Sequence, residues 1–440
     1  KAYEEKKKDG ILALDKGIKE EIDSYKEEAF KLAEELAERG DYIEKELNLP
    51  TGSNFFKLHS YIPQAKSNGY VPRVKEQQEL RQKLKRRGVC VVSGYGGVGK
   101  STLVVEYGHG CKKERAVRWI QGETLEKLLK SYQDLAQELG IDYQTLANLT
   151  KGSIRYFEEL TRRIYDALED RQQPVLLILD NVRDTTIIGT CLLHRPSLIE
   201  VIITTRDKKS FKDYSQVELS SFTREEGITY IQQRLDALKP SEQDIEALIK
   251  EVGLIPQKLA LATGYITEIS FMNIDIYINK LRGLKKQGKR RQGKFMLPEV
   301  NLGLEILDGS SQLMMRYGAY LDADFIPLSL ITSLLGIGEE EKLATILSPL
   351  EKLSLITVIN GPNKQGIRIH REIQIACREY QDWVERAAKV TKQDLVKALI
   401  QVLVQYMPEV TRGRDSTWDQ ARLYASNVSC VLATATKEEI

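Results

Sequence analysis

The stretch Gly94-Tyr95-Gly96-Gly97-Val98-Gly99-Lys100-Ser101-Thr102 has the residue types and spacing that hold phosphate. A Gly, four free positions and then Gly-Lys-Ser form the phosphate-loop pattern, carried here by Gly94, Gly99, Lys100 and Ser101. Glycines at 94, 96, 97 and 99 let the backbone take conformations that a side chain forbids, so N–H groups can converge on phosphate oxygens. Lys100 supplies a cation for the β- and γ-phosphates and Ser101 a hydroxyl for a magnesium ion. A helix opening at Lys100-Ser101-Thr102 adds its positive end. The chemistry expected is that of ATP or ADP with Mg2+.

Asp180 closes the apolar run Val175-Leu176-Leu177-Ile178-Leu179, and a carboxylate at a strand tip can meet the metal ion through water. Its neighbour is Asn181, where many phosphate-loop ATPases carry a second carboxylate. Asn positions a water but takes no proton from it, so slow hydrolysis is expected. Arg206 ends the run Glu200 to Thr205 and reads two ways: a cation that senses the γ-phosphate, or an ordinary strand-end surface Arg.

These residues need elements to position them. Val89 to Ser93 reads as a buried strand before the glycine loop, and Leu103 to Tyr107 continues as a helix. Val117 to Ile120, Val175 to Asp180, Glu200 to Arg206 and Val217 to Leu219 read as further strands. Helices over Glu123 to Leu139 and Ile154 to Leu168 alternate with them. Apolar strands alternating with helices predict a parallel sheet covered on both faces, with ligands beyond the strand carboxyl ends.

Downstream, Thr223 and Ser241 are N-caps for helices reaching Leu235 and Val252. Leu281 to Lys294 holds seven basic residues and no acidic one, read as a linker or exposed loop, with a nuclear-import or nucleic-acid patch as the other reading. Helices from Asn301 precede Leu355 to Ile359 and Ile367 to Ile369, which flank the turn Asn360-Gly361-Pro362-Asn363 and suggest a winged-helix unit. From Thr391 the chain reads as helical. At the other end, Ile11, Leu14, Ile18, Ile22, Tyr25, Ala29, Leu32 and Leu36 form a heptad seam, followed by a turn cluster at 50–54. The seam fits a coiled coil, the last helix of an effector bundle, or a helix packed on its own neighbours.

The 440 residues exceed what one core of ~250–300 residues usually holds, so about three domains are expected. No stretch approaches the ~18 apolar residues of a membrane span. The chain starts at Lys1 without a charged-then-apolar leader, and the cytoplasm is the expected compartment. Five scattered cysteines have no metal spacing and no disulfide framework. A net charge of +2 is too small to imply a nucleic-acid partner.

Tyr70-Val71-Pro72-Arg73, Ile178 to Asn181, Ile203-Thr204-Thr205-Arg206, Gly253-Leu254-Ile255-Pro256 with Leu259-Ala260-Leu261, and Ile369-His370-Arg371 occur in that order around the glycine loop. Over Tyr70 to Tyr380 the chain resembles the NB-ARC module of the STAND signal-transduction ATPases. That class includes apoptosome-forming activators, plant intracellular immune receptors and bacterial proteins with C-terminal tetratricopeptide repeats. The resemblance implies that Val71 and Arg73 lie in the segment holding adenine, that Pro256 packs on the nucleotide, and that Arg206 is the first sensor. It implies that His370 matches the histidine of the Met-His-Asp motif, which contacts the β-phosphate of ADP and keeps the resting form closed. Ile369 and Arg371 depart from that motif, Asn181 from the second acid, and Gln257-Lys258 from Gly-Leu-Pro-Leu-Ala.

The fold expected is multidomain α/β plus α. Residues 1–69 would be an N-terminal helical effector or oligomerisation region, and 70–220 a P-loop nucleotide-binding domain. Residues 221–294 would be a helical subdomain with a basic linker, 295–388 a winged-helix domain, and 389–440 a helical lead into a repeat or sensor region. The leading functional reading is an ADP/ATP-controlled switch ATPase that homo-oligomerises on activation in defence or cell-death signalling. A trigger ligand would be sensed C-terminally and an effector partner met N-terminally. One alternative is a nucleotide-regulated DNA-binding regulator, against which stand Glu339-Glu340-Glu341 and the lack of a basic recognition helix. Another is a continuously turning ATPase, against which stands Asn181.

Overall fold

A computed structural model describes residues 58, 60–63, 69–142, 153–290, 297–338, 340–360, 365–385, 392–406 and 415–437. The heptad seam, the turn cluster at 50–54 and the hairpin tip at 361–363 lie outside the described residues. The described residues divide into two units, one ending at Leu259 and one beginning at Ala260.

The first unit is organised by alternation. It runs α1 (Val74–Arg87), β1 (Val89–Ser93), α2 (Lys100–Cys111), β2 (Ala116–Gln121), α3 (Leu125–Glu138), α4 (Ile154–Asp170), β3 (Val175–Asp180), α5 (Thr185–Leu192), β4 (Ile199–Thr205) and β5 (Gln216–Glu218). Helices α6 (Arg224–Arg234) and α7 (Glu242–Val252) follow, and α8 (Pro256–Glu268) begins here. The five strands are parallel, in the order β2-β3-β4-β1-β5.

Strand side chains alternate between faces, and here both faces are apolar. Val91, Leu177, Leu179, Val201 and Ile203 enter a core with Leu128, Leu135, Phe157 and Leu160 of α3 and α4. Cys90, Val92, Leu176, Ile178 and Ile202 enter a second core with Leu80, Leu84, Leu103 and Val104 of α1 and α2. The sheet is therefore buried on both sides, and its carboxyl edge is left to hold chemistry.

The sheet reaches further than the run of apolar strands suggests. Tyr61 donates its N–H to Val117 and accepts from Trp119 N–H, each at 2.8 Å, a parallel bridge on the outer edge of β2. Gln173 holds Leu58 by both backbone groups, at 3.0 and 3.1 Å, as a strand partner would. Such pairing covers an otherwise open strand edge. Thr223 and Ser241 cap α6 and α7 as expected, each in a reciprocal capping box.

The second unit contains α9 (Ile274–Arg290), α10 (Pro298–Glu305), α11 (Gly309–Gly318), β6 (Ile326–Pro327), α12 (Leu328–Leu335), α13 (Glu340–Lys352), β7 (Thr357–Asn360), β8 (Gln365–Arg368), α14 (Arg371–Glu385), α15 (Lys392–Tyr406) and α16 (Asp415–Lys437). Its small antiparallel sheet has the order β6-β8-β7. The hairpin expected around Asn360 is present, and a two-residue strand that leaves no sequence signal completes the sheet. The basic run corrects the sequence reading: it is helix, not loop, as far as Arg290. Leu281 and Leu284 are buried on one face of that helix, so the basic side chains share it with core-forming leucines.

Candidate functional site

The parallel strands end together, and register fixes what meets at that edge. Ser93 pairs with Thr205 and with Glu218, so Gly94 and Arg206 both leave the sheet at the same level. Leu179 pairs with Ile203, which brings Asp180 beside Thr204.

Gly94 turns the chain out of β1, and a Cβ there would lie 2.3 Å from the Leu219 carbonyl oxygen. Gly97 and Gly99 have φ of +76° and +96°, which L side chains rarely adopt. Val98 between them is buried and anchors the loop in the core under α1 and α2. Helix α2 then opens at Lys100 without a side-chain cap, which leaves its first N–H groups to the loop. Lys100 folds back, donating from Nζ to the carbonyls of Gly94 and Tyr95 at 2.7 and 2.8 Å.

Ser101 and Asp180 come together: Ser101 Oγ donates to Asp180 Oδ1 at 2.9 Å. The same oxygen accepts from Thr204 Oγ1 at 2.5 Å. Thr204 in turn accepts from the N–H of Asn181 at 2.8 Å, so one hydroxyl ties the carboxylate to the residue after it. Asn181 has φ +61°, a left-handed conformation that Asn and Asp tolerate better than most residues. Asn at this position thus has a backbone reason besides any chemical one.

A hydroxyl and a carboxylate oxygen form the hard donor pair that suits Mg2+, and the glycine cradle with Lys100 suits phosphate. Among the described residues no group of three or more His, Cys, Asp or Glu can hold a metal ion. If the ion binds here, Ser101 and Asp180 are the residues that would hold it, with water and phosphate oxygens completing the shell.

The remaining predicted residues divide. Val71 is buried before α1. The guanidinium of Arg73 is also buried: it meets Glu226 at 3.2 Å, the Ser220 carbonyl at 2.7 Å, and lies 5.2 Å from the centroid of the Phe222 ring. Its side chain ties α1 to α6. Pro256 opens α8. Arg206 is exposed one residue beyond β4.

His370 belongs to the other unit, exposed at the end of the hairpin, and is not a core residue. Its Nδ1 accepts from the N–H of Glu372 at 3.3 Å and its carbonyl accepts from Ile373 and Gln374 at 2.8 and 3.0 Å, which makes it the start of α14. Ile369 N–H donates to Ala323 at 3.1 Å and Arg371 meets Asp324 at 3.3 Å, so both residues that depart from the Met-His-Asp motif anchor the segment.

Thr204 is a residue of the candidate site that the sequence reading did not single out. It stands in the Thr-Thr-Arg run, and only strand register shows that it faces Asp180 while Thr205 donates to the Val182 carbonyl instead.

Residues 73–236 match the NB-ARC domain family. Among solved structures, the chain is similar to a Signal Transduction ATPase with Numerous Domains (STAND) protein with a tetratricopeptide repeat sensor from Pyrococcus horikoshii. That likeness has 15% identity and a TM-score of 0.50, over 88% of this chain and 52% of that one. The chain thus spans about half the length of that protein. It is also similar to a Walker-type ATPase of Pyrococcus abyssi, with 15% identity and a TM-score of 0.36, over 72% of this chain and 98% of that one. A third is the ORC2 protein of Aeropyrum pernix in ADPNP-ADP complexes, with 14% identity and a TM-score of 0.37, over 74% of this chain and 97% of that one. No curated protein matches. Among the described residues no helix is long and apolar enough to cross a membrane.

Proposed function

We propose that this chain, which carries an NB-ARC domain over residues 73–236, is a nucleotide-controlled switch with slow ATPase activity. One observation carries the reading: Ser101 Oγ and Asp180 Oδ1 meet at 2.9 Å beside a glycine loop whose Lys100 is already aimed inward. In this reading Lys100 and the loop N–H groups hold the phosphates of ATP or ADP, with Gly94, Gly96, Gly97, Gly99 and Thr102 shaping the cradle. Ser101 and Asp180 hold Mg2+, which neutralises phosphate charge when bound. Arg206 reads the γ-phosphate, and Pro256 and the main chain at 71–73 hold the base.

A carboxylate at position 181 would take a proton from the attacking water, and Asn181 does not. Bound nucleotide therefore persists, which is what a switch requires and a turnover enzyme does not. In the resting form ADP is held with help from His370, on a unit read as a winged helix. In the active form ATP favours self-association through an equilibrium between two conformations. The trigger would act through a region beyond α16 and the output through the N-terminal residues, in the cytoplasm, in signalling of the defence or cell-death type.

The test is the nucleotide that co-purifies with the full chain, read alongside particle size with ADP and with ATP. Expected are stoichiometric ADP in small particles and larger particles with ATP. Lys100→Ala should lose the nucleotide. Unchanged nucleotide content in that variant, or none in the parent, overturns the reading.

A further inference from the structure

Gln257 is the first residue of α8 that can donate a backbone hydrogen bond, since Pro256 has no N–H. It makes that bond to the phosphate loop: Gln257 N–H meets the Gly97 carbonyl at 3.2 Å. The side chain follows the main chain onto the same residue. A Cβ on Gly97 would lie 2.4 Å from Gln257 Oε1 and 2.9 Å from its Cβ, so only glycine leaves room for this side chain. Gln257 Nε2 is buried and has no hydrogen-bond partner.

Buried amide nitrogens are nearly always partnered, and one left without an acceptor costs more than the hydrogen bond itself returns. An apolar side chain would fill this place without that cost. The amide is therefore informative about what joins it. A donor held against the phosphate loop, at the positive end of a helix, selects an oxygen acceptor carrying negative charge. Its own oxygen lies against the Gly97 position, which leaves the nitrogen as the group without an acceptor.

We infer that Gln257 is a nucleotide-binding residue, its Nε2 donating to an oxygen of the bound ATP or ADP from a helix start that already rests on the loop. This rests on the proposed nucleotide function and adds to it a residue of this chain that supplies affinity from outside the glycine loop. It also gives Gly97 a second requirement beyond its φ, the space for Gln257.

The experiment measures ADP affinity of the full chain by calorimetry, after removal of bound nucleotide, for the parent, Lys100→Ala, Gln257→Met and Gln257→Glu. Methionine keeps length and packing without the donor. Glutamate keeps the shape and places negative charge where the amide stood. A hydrogen bond to a charged acceptor predicts ADP binding about 10-fold weaker or more for Gln257→Met, and weaker still for Gln257→Glu. Melting temperatures without nucleotide should be at or above the parent value for Gln257→Met, which removes an unpartnered buried donor, and the ADP-induced rise in melting temperature should shrink. Parent-like affinity in both Gln257 variants, while Lys100→Ala loses ADP, overturns this inference and leaves the switch reading standing. A parent that binds no ADP removes both.

Discussion

Ser101 Oγ and Thr204 Oγ1 both donate to one oxygen of Asp180, at 2.9 and 2.5 Å. The carboxylate is thereby held from two elements, the first turn of α2 and the end of β4, and its orientation is set before any ligand arrives.

The first prediction separates the carboxylate from one of its donors. Asp180→Ala should keep much of the ADP affinity and lose its dependence on magnesium. Thr204→Val removes a buried hydroxyl while keeping shape, and should cost about 1–3 kcal/mol of stability. It should also weaken the magnesium dependence, which Thr204→Ser restores. Affinity titrations with and without magnesium decide it: equal magnesium effects in parent and Asp180→Ala would remove Asp180 from the metal side.

A second prediction concerns Asn181. Aspartate tolerates the same left-handed backbone, so Asn181→Asp changes the chemistry without straining φ +61°. Steady-state ATP hydrolysis should rise, by up to the ~10²–10⁴-fold that a positioned general base contributes. A parent already turning over near ~10 per second would contradict the missing-base argument.

How much of this was legible in the sequence depends on what each element rests on. Val175 to Asp180 could be read because an apolar run closed by a single carboxylate has few other interpretations. The glycine loop could be read because every residue in it answers to local geometry. Thr204 could not, since choosing it over Thr205 requires register between β3 and β4. The bridge at Tyr61 could not either: it is an isolated pairing, made by a segment too short to show alternation. Helix α9 misled through composition, because the charge of Lys285, Lys286 and Arg290 outweighed the spacing of Leu281 and Leu284. The side-chain partner of Arg73, Glu226, lies 153 residues away, beyond the reach of any local pattern.

A third prediction tests the core. Burial pushes the thiols of Cys90, Cys191 and Cys377 up to about 12, so each is almost wholly protonated at neutral pH. Brief alkylation of the native protein near pH 8 should modify the partly exposed Cys430 first and spare those three until the protein unfolds. Mass spectrometry of the labelled peptides reads this directly, and early labelling of Cys90 would contradict the burial of β1.

The last prediction concerns His370, whose place in the fold makes two roles separable. Its Nδ1 accepts from the Glu372 N–H, so it has a local role in starting α14. Its proposed role is a hydrogen bond to the β-phosphate of ADP in the resting form alone. A bond to a charged partner contributes ~1.5–3 kcal/mol, which is ~10- to 150-fold in an equilibrium between closed and open forms. Alanine removes both roles. Asparagine keeps an acceptor suited to a helix start and removes the imidazole that would reach the phosphate. His370→Ala should therefore melt lower and release ADP faster, whereas His370→Asn should keep the parent's melting temperature and still release ADP faster. Both should bind ATP at least as well as the parent, and both should form larger particles with ATP when the chain includes any further C-terminal region. Stopped-flow release of a fluorescent ADP, with melting curves on the same samples, distinguishes the roles. If His370→Ala is destabilised and both variants release ADP at the parent rate, His370 only starts a helix, and the closed form must be held by other residues.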